Sequence, residues 1–223
     1  MPLAGSGKPR PRAIVFDLDR ALIDPRPAWR YAVEEAVVSV TGRPVRADAL
    51  VEEYHTRPFR HALQVLLPDP ALADRCEQLC GEMYARSAMK RLLVHEGAGM
   101  ALDALRGELI DLAAISRLPH AIAIKQAQST GIDRFLAILA ATPEGEVWDP
   151  AARVSACLRF LECDSAESAF ISPGAGDRDR VAETGAHIFS CAWSPGAEVA
   201  GSSAIASPRD ILPYLQRWWA GVR

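Results

Sequence analysis

Five short apolar runs, each parted from the next by a stretch with helical spacing, constrain this chain more than any other feature. Ala13–Phe16, Leu109–Ile115, Ala137–Ala141, Ser168–Ile171 and His187–Ala192 are four to seven residues long and bounded by polar or turn residues. Runs of that length, rich in β-branched and aromatic side chains and lacking strict alternation, read as strands buried on both faces. Between them, Met100–Leu105, His120–Thr130 closed by Gly131, Pro150–Leu161, Asp179–Thr184 capped by Gly185 and finally Pro208–Trp219 read as helices, with Gly196–Ser207 a small-residue loop. Strands alternating with helices imply crossover connections and a parallel sheet, so the expected fold class is α/β, a doubly wound parallel sheet. In such sheets the ligand site lies beyond the carboxyl ends of the strands.

The first and second runs are separated by about 70 residues without a strand signal. Pro27–Val40 has helical spacing and is stopped by Thr41-Gly42-Arg43-Pro44, and Asp48–Lys90 continues helical, divided by Pro58, Pro68 and Pro70. The expected organisation is a disordered tail at 1–12, an α/β core from 13–24 and 92–223, and a helical insert at 25–91. A chain of 223 residues suits one domain carrying such an insertion.

The charge balance, 25 Lys and Arg against 28 Asp and Glu, gives no electrostatic case for nucleic acid or an anionic membrane. No apolar stretch is long enough for a membrane span, and Ala13–Phe16 is too short for a signal-peptide core. Five cysteines, an odd number in a chain that can fold without staples, point to a reducing, cytoplasmic setting. Cys76 and Cys80 share a helical face, but no second pair or nearby histidine completes a zinc set.

The strand ends carry the chemistry. Asp17 and Asp19 follow the first strand, Ser116 the second, and Ser172 to Asp177 the fourth, so the topology converges them on one crevice. A single strand-end aspartate is commonly a turn residue. Two carboxylates flanking a residue that points the other way are different: one can attack while the other shuttles a proton. Clustered carboxylates repel unless a cation lies between them, which makes Asp17, Asp19 and Asp177 an oxygen-ligand set for Mg²⁺.

The stretch Phe16-Asp17-Leu18-Asp19-Arg20-Ala21-Leu22-Ile23-Asp24 resembles the first motif, DxDGTLxD, of the haloacid dehalogenase-like (HAD) hydrolases, in the branch with phosphoglycolate phosphatases. Ala114-Ile115-Ser116 resembles their second motif, and Gly131-Ile132-Asp133-Arg134-Phe135 the segment that trails it. The helical insert sits where that branch carries a cap domain, and the resemblance covers nearly all of residues 13 to 215. It implies that Asp17 is the nucleophile forming an aspartyl phosphate, Asp19 the general acid and base, and Ser116 a donor to the phosphoryl group. Mg²⁺ is the implied cofactor, at a site weakened by the departures that follow, and a small phosphorylated metabolite the implied substrate. Arg20 and Arg117 in the core, and Arg57 and Arg60 beside His55 and His61 in the cap, are the substrate-binding candidates.

The departures fall on the positive charge that phosphoryl transfer relies on. Arg20 and Ala21 replace the glycine and threonine of the first motif. In Trp148-Asp149-Pro150-Ala151, Asp149 stands where the third motif has lysine, leaving Arg153, Arg20 or Lys125 to supply a cation. The fourth motif, GDxxxD in the family, reads Ser172-Pro173-Gly174-Ala175-Gly176-Asp177, so only its second carboxylate remains. A leading serine also resembles the metal-independent haloacid dehalogenases, although those carry an aromatic in place of Asp19. The readings are therefore a Mg²⁺-dependent phosphatase, a catalytically impaired binding or regulatory module, and a dehalogenase-like hydrolase, as monomer or homodimer. His95 and Glu96 read as loop residues, His120 and His187 as surface or core histidines, and Trp148, Trp193, Trp218 and Trp219 as packing groups.

Overall fold

The computed structural model describes residues 8–48, 63, 64, 66–194, 196–198 and 204–221. The expected tail residues 1–7 and the cap candidates His55, Arg57, Arg60 and His61 lie outside them. The chain divides into two compact units, residues 1–23 with 94–223, and residues 24–93.

In the larger unit six strands form one sheet: β1 (Ala13–Asp17), β4 (Asp111–Pro119), β5 (Ile138–Thr142), β6 (Ser168–Ser172), β7 (His187–Cys191) and β8 (Ala204–Ile205), in the order β5-β4-β1-β6-β7-β8. Every neighbouring pair is parallel. β2 (Ile23–Asp24) and β3 (Leu93–Val94) are two-residue strands at the chain's two crossings between units. β4 and β5 lie on one side of β1 and β6 to β8 on the other, so the connections leaving β1 and β6 diverge. The crevice between those two strands is the topological switch point, where ligands bind in open α/β sheets.

Burial explains why β1 reads as an unbroken apolar run. Ala13 and Val15 pack with Ala113, Ile115 and Phe170 of the neighbouring strands and with Val154, Cys157, Leu158 and Val181. Those last four belong to α5 (Pro150–Phe160) and α6 (Ala175–Ala182). Ile14 and Phe16 point to the opposite face and are equally buried. α3 (Ala98–Gly107), α4 (His120–Thr130) and α7 (Ile211–Trp219) complete this unit. α4 ends as its sequence suggests, on Gly131 in the left-handed conformation at φ 68°.

Three differences from the sequence expectation have local causes. α6 begins at Ala175 rather than Asp179, because its buried face includes the charged side chains of Asp177 and Arg178, which carry no apolar periodicity. β8 lies within the expected loop; two residues paired to Ser190 and Cys191 are too short to leave a pattern. Residues 8–12 are tied to the core: the Arg12 amide donates to the Glu167 carbonyl at 2.7 Å and its guanidinium pairs with the Glu167 carboxylate at 2.9 Å.

The smaller unit is built, among its described residues, on α1 (Arg26–Thr41) and α2 (Pro70–Arg86). Asp69 caps α2 by accepting from the Ala71 amide, with Pro70 in the first turn. Cys76 and Cys80 face the small residues of α1, their thiols against the carbonyls of Ala36 and Ala32, and the Trp29 and Tyr84 rings stack at 4.1 Å. All five cysteines are free and buried, and burial pushes the Cys80 and Cys157 thiols up to about 12. No helix among the described residues is long and apolar enough to cross a membrane.

Candidate active site

Asp17 is the last residue of β1, beside Ser172 at the end of β6, whose hydroxyl donates to Asp17 Oδ2 at 3.1 Å. The chain then winds through a π-helical turn, Leu18–Leu22, closed by the Ile23 amide bonding to the Leu18 carbonyl. Such wide turns are rare and cluster at functional sites. This one brings Asp19 and Arg20 back over the strand ends, and all five of its residues are buried. Two contacts from outside hold it: His95 Nε2 meets the Arg20 carbonyl at 3.0 Å, and Trp193 Nε1 donates to the Ala21 carbonyl at 2.9 Å.

Asp19 is held by the end of β4. Its Oδ2 accepts from the Ser116 hydroxyl at 2.8 Å and from the Arg117 amide at 3.1 Å, while Ser116 Oγ in turn accepts from the Leu118 amide. The β4–β5 register shifts between Ser116 and Pro119, an irregularity that frees these groups from the ladder. The other oxygen, Asp19 Oδ1, is buried and has no hydrogen-bond partner among the described residues. Burial, followed by the nearby Asp17 charge, raises this carboxyl to about 6, against the pull of Ser116 and Arg117. Asp19 is thereby poised to exchange a proton near neutral pH.

Arg20 lies between the other two carboxylates. Its Nε and Nη2 approach Asp17 Oδ2 at 3.0 and 2.9 Å, and Nη2 reaches Asp177 Oδ2 at 2.5 Å. Burial works against the guanidinium charge, but Asp17 and Asp177 outweigh it and hold the pKa above the ordinary arginine value. Nη1 of Arg20, with its two N–H groups, and Oδ1 of Asp17 make no hydrogen bond among the described residues. Arg117, half exposed, brings a second guanidinium to Asp177 Oδ2 at 2.5 Å.

The sequence candidates Asp17, Asp19, Arg20, Ser116, Arg117 and Asp177 thus converge at the ends of β1 and β4 and the start of α6. The other proposed cations do not join them: Lys125 is exposed on α4, and Arg153 pairs with Glu146 at 3.3 Å. Asp149, at the expected lysine position, has a local task. It caps α5, accepting from the Ala152 amide at 3.2 Å.

Sequence reasoning missed two contributors. Trp148, read as packing, donates from Nε1 to Asp177 Oδ1 at 2.9 Å, and the Arg117 guanidinium sits 5.1 Å over its ring. The available signal was its place: it immediately precedes the Asp-Pro start of a helix that follows a strand end. Arg178 is buried and donates to the carbonyls of Ser172, Pro173 and Glu198, fixing the loop after β6.

The donor set does not fit the Mg²⁺ that the resemblance implies. Asp17 and Asp177 present their Oδ2 atoms to the same guanidinium nitrogen, Asp177 Oδ1 accepts from Trp148, Asp19 Oδ2 is committed to Ser116 and Arg117, and Pro173 offers no side-chain ligand, so of these three carboxylates only Asp17 Oδ1 and Asp19 Oδ1 stay uncommitted among the described residues, beside a fixed positive charge. Among the described residues no group of three or more His, Cys, Asp or Glu is arranged to hold a metal ion.

A parallel sheet of this order, with an acidic pair at the end of its central strand and a helical unit between that strand and the next, is the fold of the haloacid dehalogenase-like hydrolases. The similar solved structures bear this out. They include a phosphatase of Clostridium difficile described as putative (TM-score 0.83, 15% identity, 93% of this chain and 100% of the other). A HAD-superfamily hydrolase, subfamily IA, variant 1, from Geobacter sulfurreducens has a TM-score of 0.77 at 18% identity, over 95% of this chain and 99% of that one. In sequence, the chain is 24% identical over 214 residues to the phosphoglycolate phosphatase (plasmid) of Cupriavidus necator, spanning 91% of this chain and 92% of that protein. No family model matches.

Proposed function

We propose that the chain is a phosphohydrolase that cleaves phosphomonoesters of small metabolites through an aspartyl-phosphate intermediate. The observation that carries this reading is the division of labour between two carboxylates at one strand end: Asp17 keeps Oδ1 free, and Asp19 is buried and held by Ser116. Oδ1 of Asp17 attacks phosphorus, the bond to the ester oxygen breaks with its electron pair, and Asp19 delivers the proton that the leaving alcohol needs. Water then attacks the same phosphorus, Asp19 takes its proton, the P–Oδ1 bond breaks and inorganic phosphate leaves. Arg20 and Arg117 offer guanidinium groups suited to phosphate oxygens. No step is assigned to Mg²⁺. Segment 24–93 is assigned the role of a substrate-selecting cap, and the relative named above makes phosphoglycolate the first substrate to try.

A second reading, dehalogenation of a haloacid, draws on Ser172 donating to Asp17 and on the guanidinium in the site. A departing halide needs no proton, however, so that reading leaves the raised Asp19 carboxyl without a task. Phosphate release from phosphoglycolate and a panel of phosphomonoesters, beside chloride release from 2-chloropropionate, compares the two. Phosphate release abolished by Asp17→Asn is the expected result. No release above the Asp17→Asn background from any substrate overturns catalysis and leaves a binding module.

A further inference from the structure

Building on the phosphohydrolase reading, we propose that the Arg20 guanidinium is the site's resident cation, so that this chain binds a phosphate-bearing anion without a divalent ion. The geometry joins three independent observations. First, the guanidinium occupies the space between the carboxylates of Asp17 and Asp177 and bonds to both, spending Nε and Nη2, while Nη1 makes no hydrogen bond among the described residues.

Second, the surrounding backbone is shaped around it. Gly174 has no side chain where the guanidinium lies: a Cβ there would stand 2.7 Å from Nη2 and 2.8 Å from Nη1. The π-helical turn that carries Arg20 is pinned through its carbonyls by His95 and Trp193. Arg178 and Glu198 fix the facing loop, Glu198 by accepting from the Ala175 amide and donating its own amide to Pro173.

Third, the loop facing Arg20 carries Pro173, which has no side-chain oxygen to offer a metal, and the guanidinium is the cation that the Asp17 and Asp177 carboxylates meet there. A guanidinium cannot lose its proton in a protein, and it presents a planar fork of donors. It therefore offers fixed positive charge to equatorial phosphate oxygens and is indifferent to chelators.

The test uses the full chain, treated with chelator and dialysed, with MgCl₂ and inorganic phosphate titrated separately by calorimetry. Phosphate is expected to bind without added metal, and Mg²⁺ to give no saturable heat across the millimolar range. Arg20→Gly should weaken metal-free phosphate binding by about 10- to 100-fold, the loss of charge-assisted hydrogen bonds. Gly174→Ala, which keeps Arg20 but fills its space, should weaken it in the same direction, and Arg20→Lys should retain part of it. Saturable Mg²⁺ binding to the wild type overturns the proposal, as does phosphate binding that requires Mg²⁺ or is indifferent to Arg20. These arms read binding alone, so an absence of turnover would sink the phosphohydrolase reading while still deciding which cation the site holds.

Discussion

Gly174 and Arg20 fit together as backbone against guanidinium: a methyl group on Gly174 would come within 2.7 Å of Arg20 Nη2. The backbone of Gly174, at φ −80°, is open to any residue, so the cost of a side chain there is the cost of pushing the Arg20 guanidinium off Asp17 and Asp177. Gly174→Ala should therefore cost about 1–3 kcal/mol of folding stability through overpacking. In an Arg20→Gly background the same change should cost less than about 1 kcal/mol, because the clashing group is gone. Denaturant unfolding of the two single variants and the double variant checks this. Equal costs in both backgrounds would mean that the guanidinium is not what fills the space.

Asp19 makes the stability of the chain depend on pH. Its carboxyl is raised from 3.8 to about 6 by burial and by Asp17. The folded chain therefore holds the proton more tightly than the unfolded one. The stability this group contributes is complete below 3.8 and is lost as pH rises through about 6. Asp19→Asn cannot titrate, so its melting temperature should gain on that of the wild type as pH passes from 4 to 7, by at most about 3 kcal/mol in free energy. A difference that stays constant across that range would show that Asp19 does not titrate there.

The parts of the architecture that were legible in the sequence are those where one residue type has one physical task. Ala13–Phe16 had to be a buried strand because both its faces meet apolar neighbours, and Gly131 ended α4 because a left-handed residue was needed. Asp17, Asp19, Ser116 and Asp177 were legible as strand-end polar groups. What lies in a strand-end crevice follows from topology, but which side chain fills it follows from contacts. Trp148 and Arg178 were not legible because an indole and a guanidinium serve equally well on a surface. Only the proximity of Asp177 to one, and of three backbone carbonyls to the other, gives them a role.

Trp148 joins the site through its indole nitrogen and its ring, and the two can be separated. Trp148→Phe removes the 2.9 Å bond to Asp177 and retains a face for Arg117. The expected loss is about 1–2 kcal/mol, as for a hydrogen bond to a charged group that is partly solvated. Trp148→Ala should lose about 0.5–1 kcal/mol more through the cation–π contact, beyond the loss of packed area. Urea unfolding of both variants measures the difference. If Trp148→Phe unfolds like the wild type, the indole nitrogen contributes nothing to holding Asp177.

Ser116 is committed to the acid, and this gives it a signature distinct from that of a phosphate ligand. Its hydroxyl hydrogen goes to Asp19 Oδ2 at 2.8 Å, where it favours the ionised carboxylate. Removing it in Ser116→Ala leaves the Arg117 amide as the one donor to that oxygen among the described residues. The Asp19 carboxyl should then rise further, by about one pH unit for a bond of some 1.5 kcal/mol. In the proposed mechanism the leaving group takes its proton from Asp19, so the alkaline limb of kcat/KM should move up by that amount, while Ser116→Thr keeps the wild-type limb. A lower rate with an unmoved limb would assign the hydroxyl to the phosphoryl group instead.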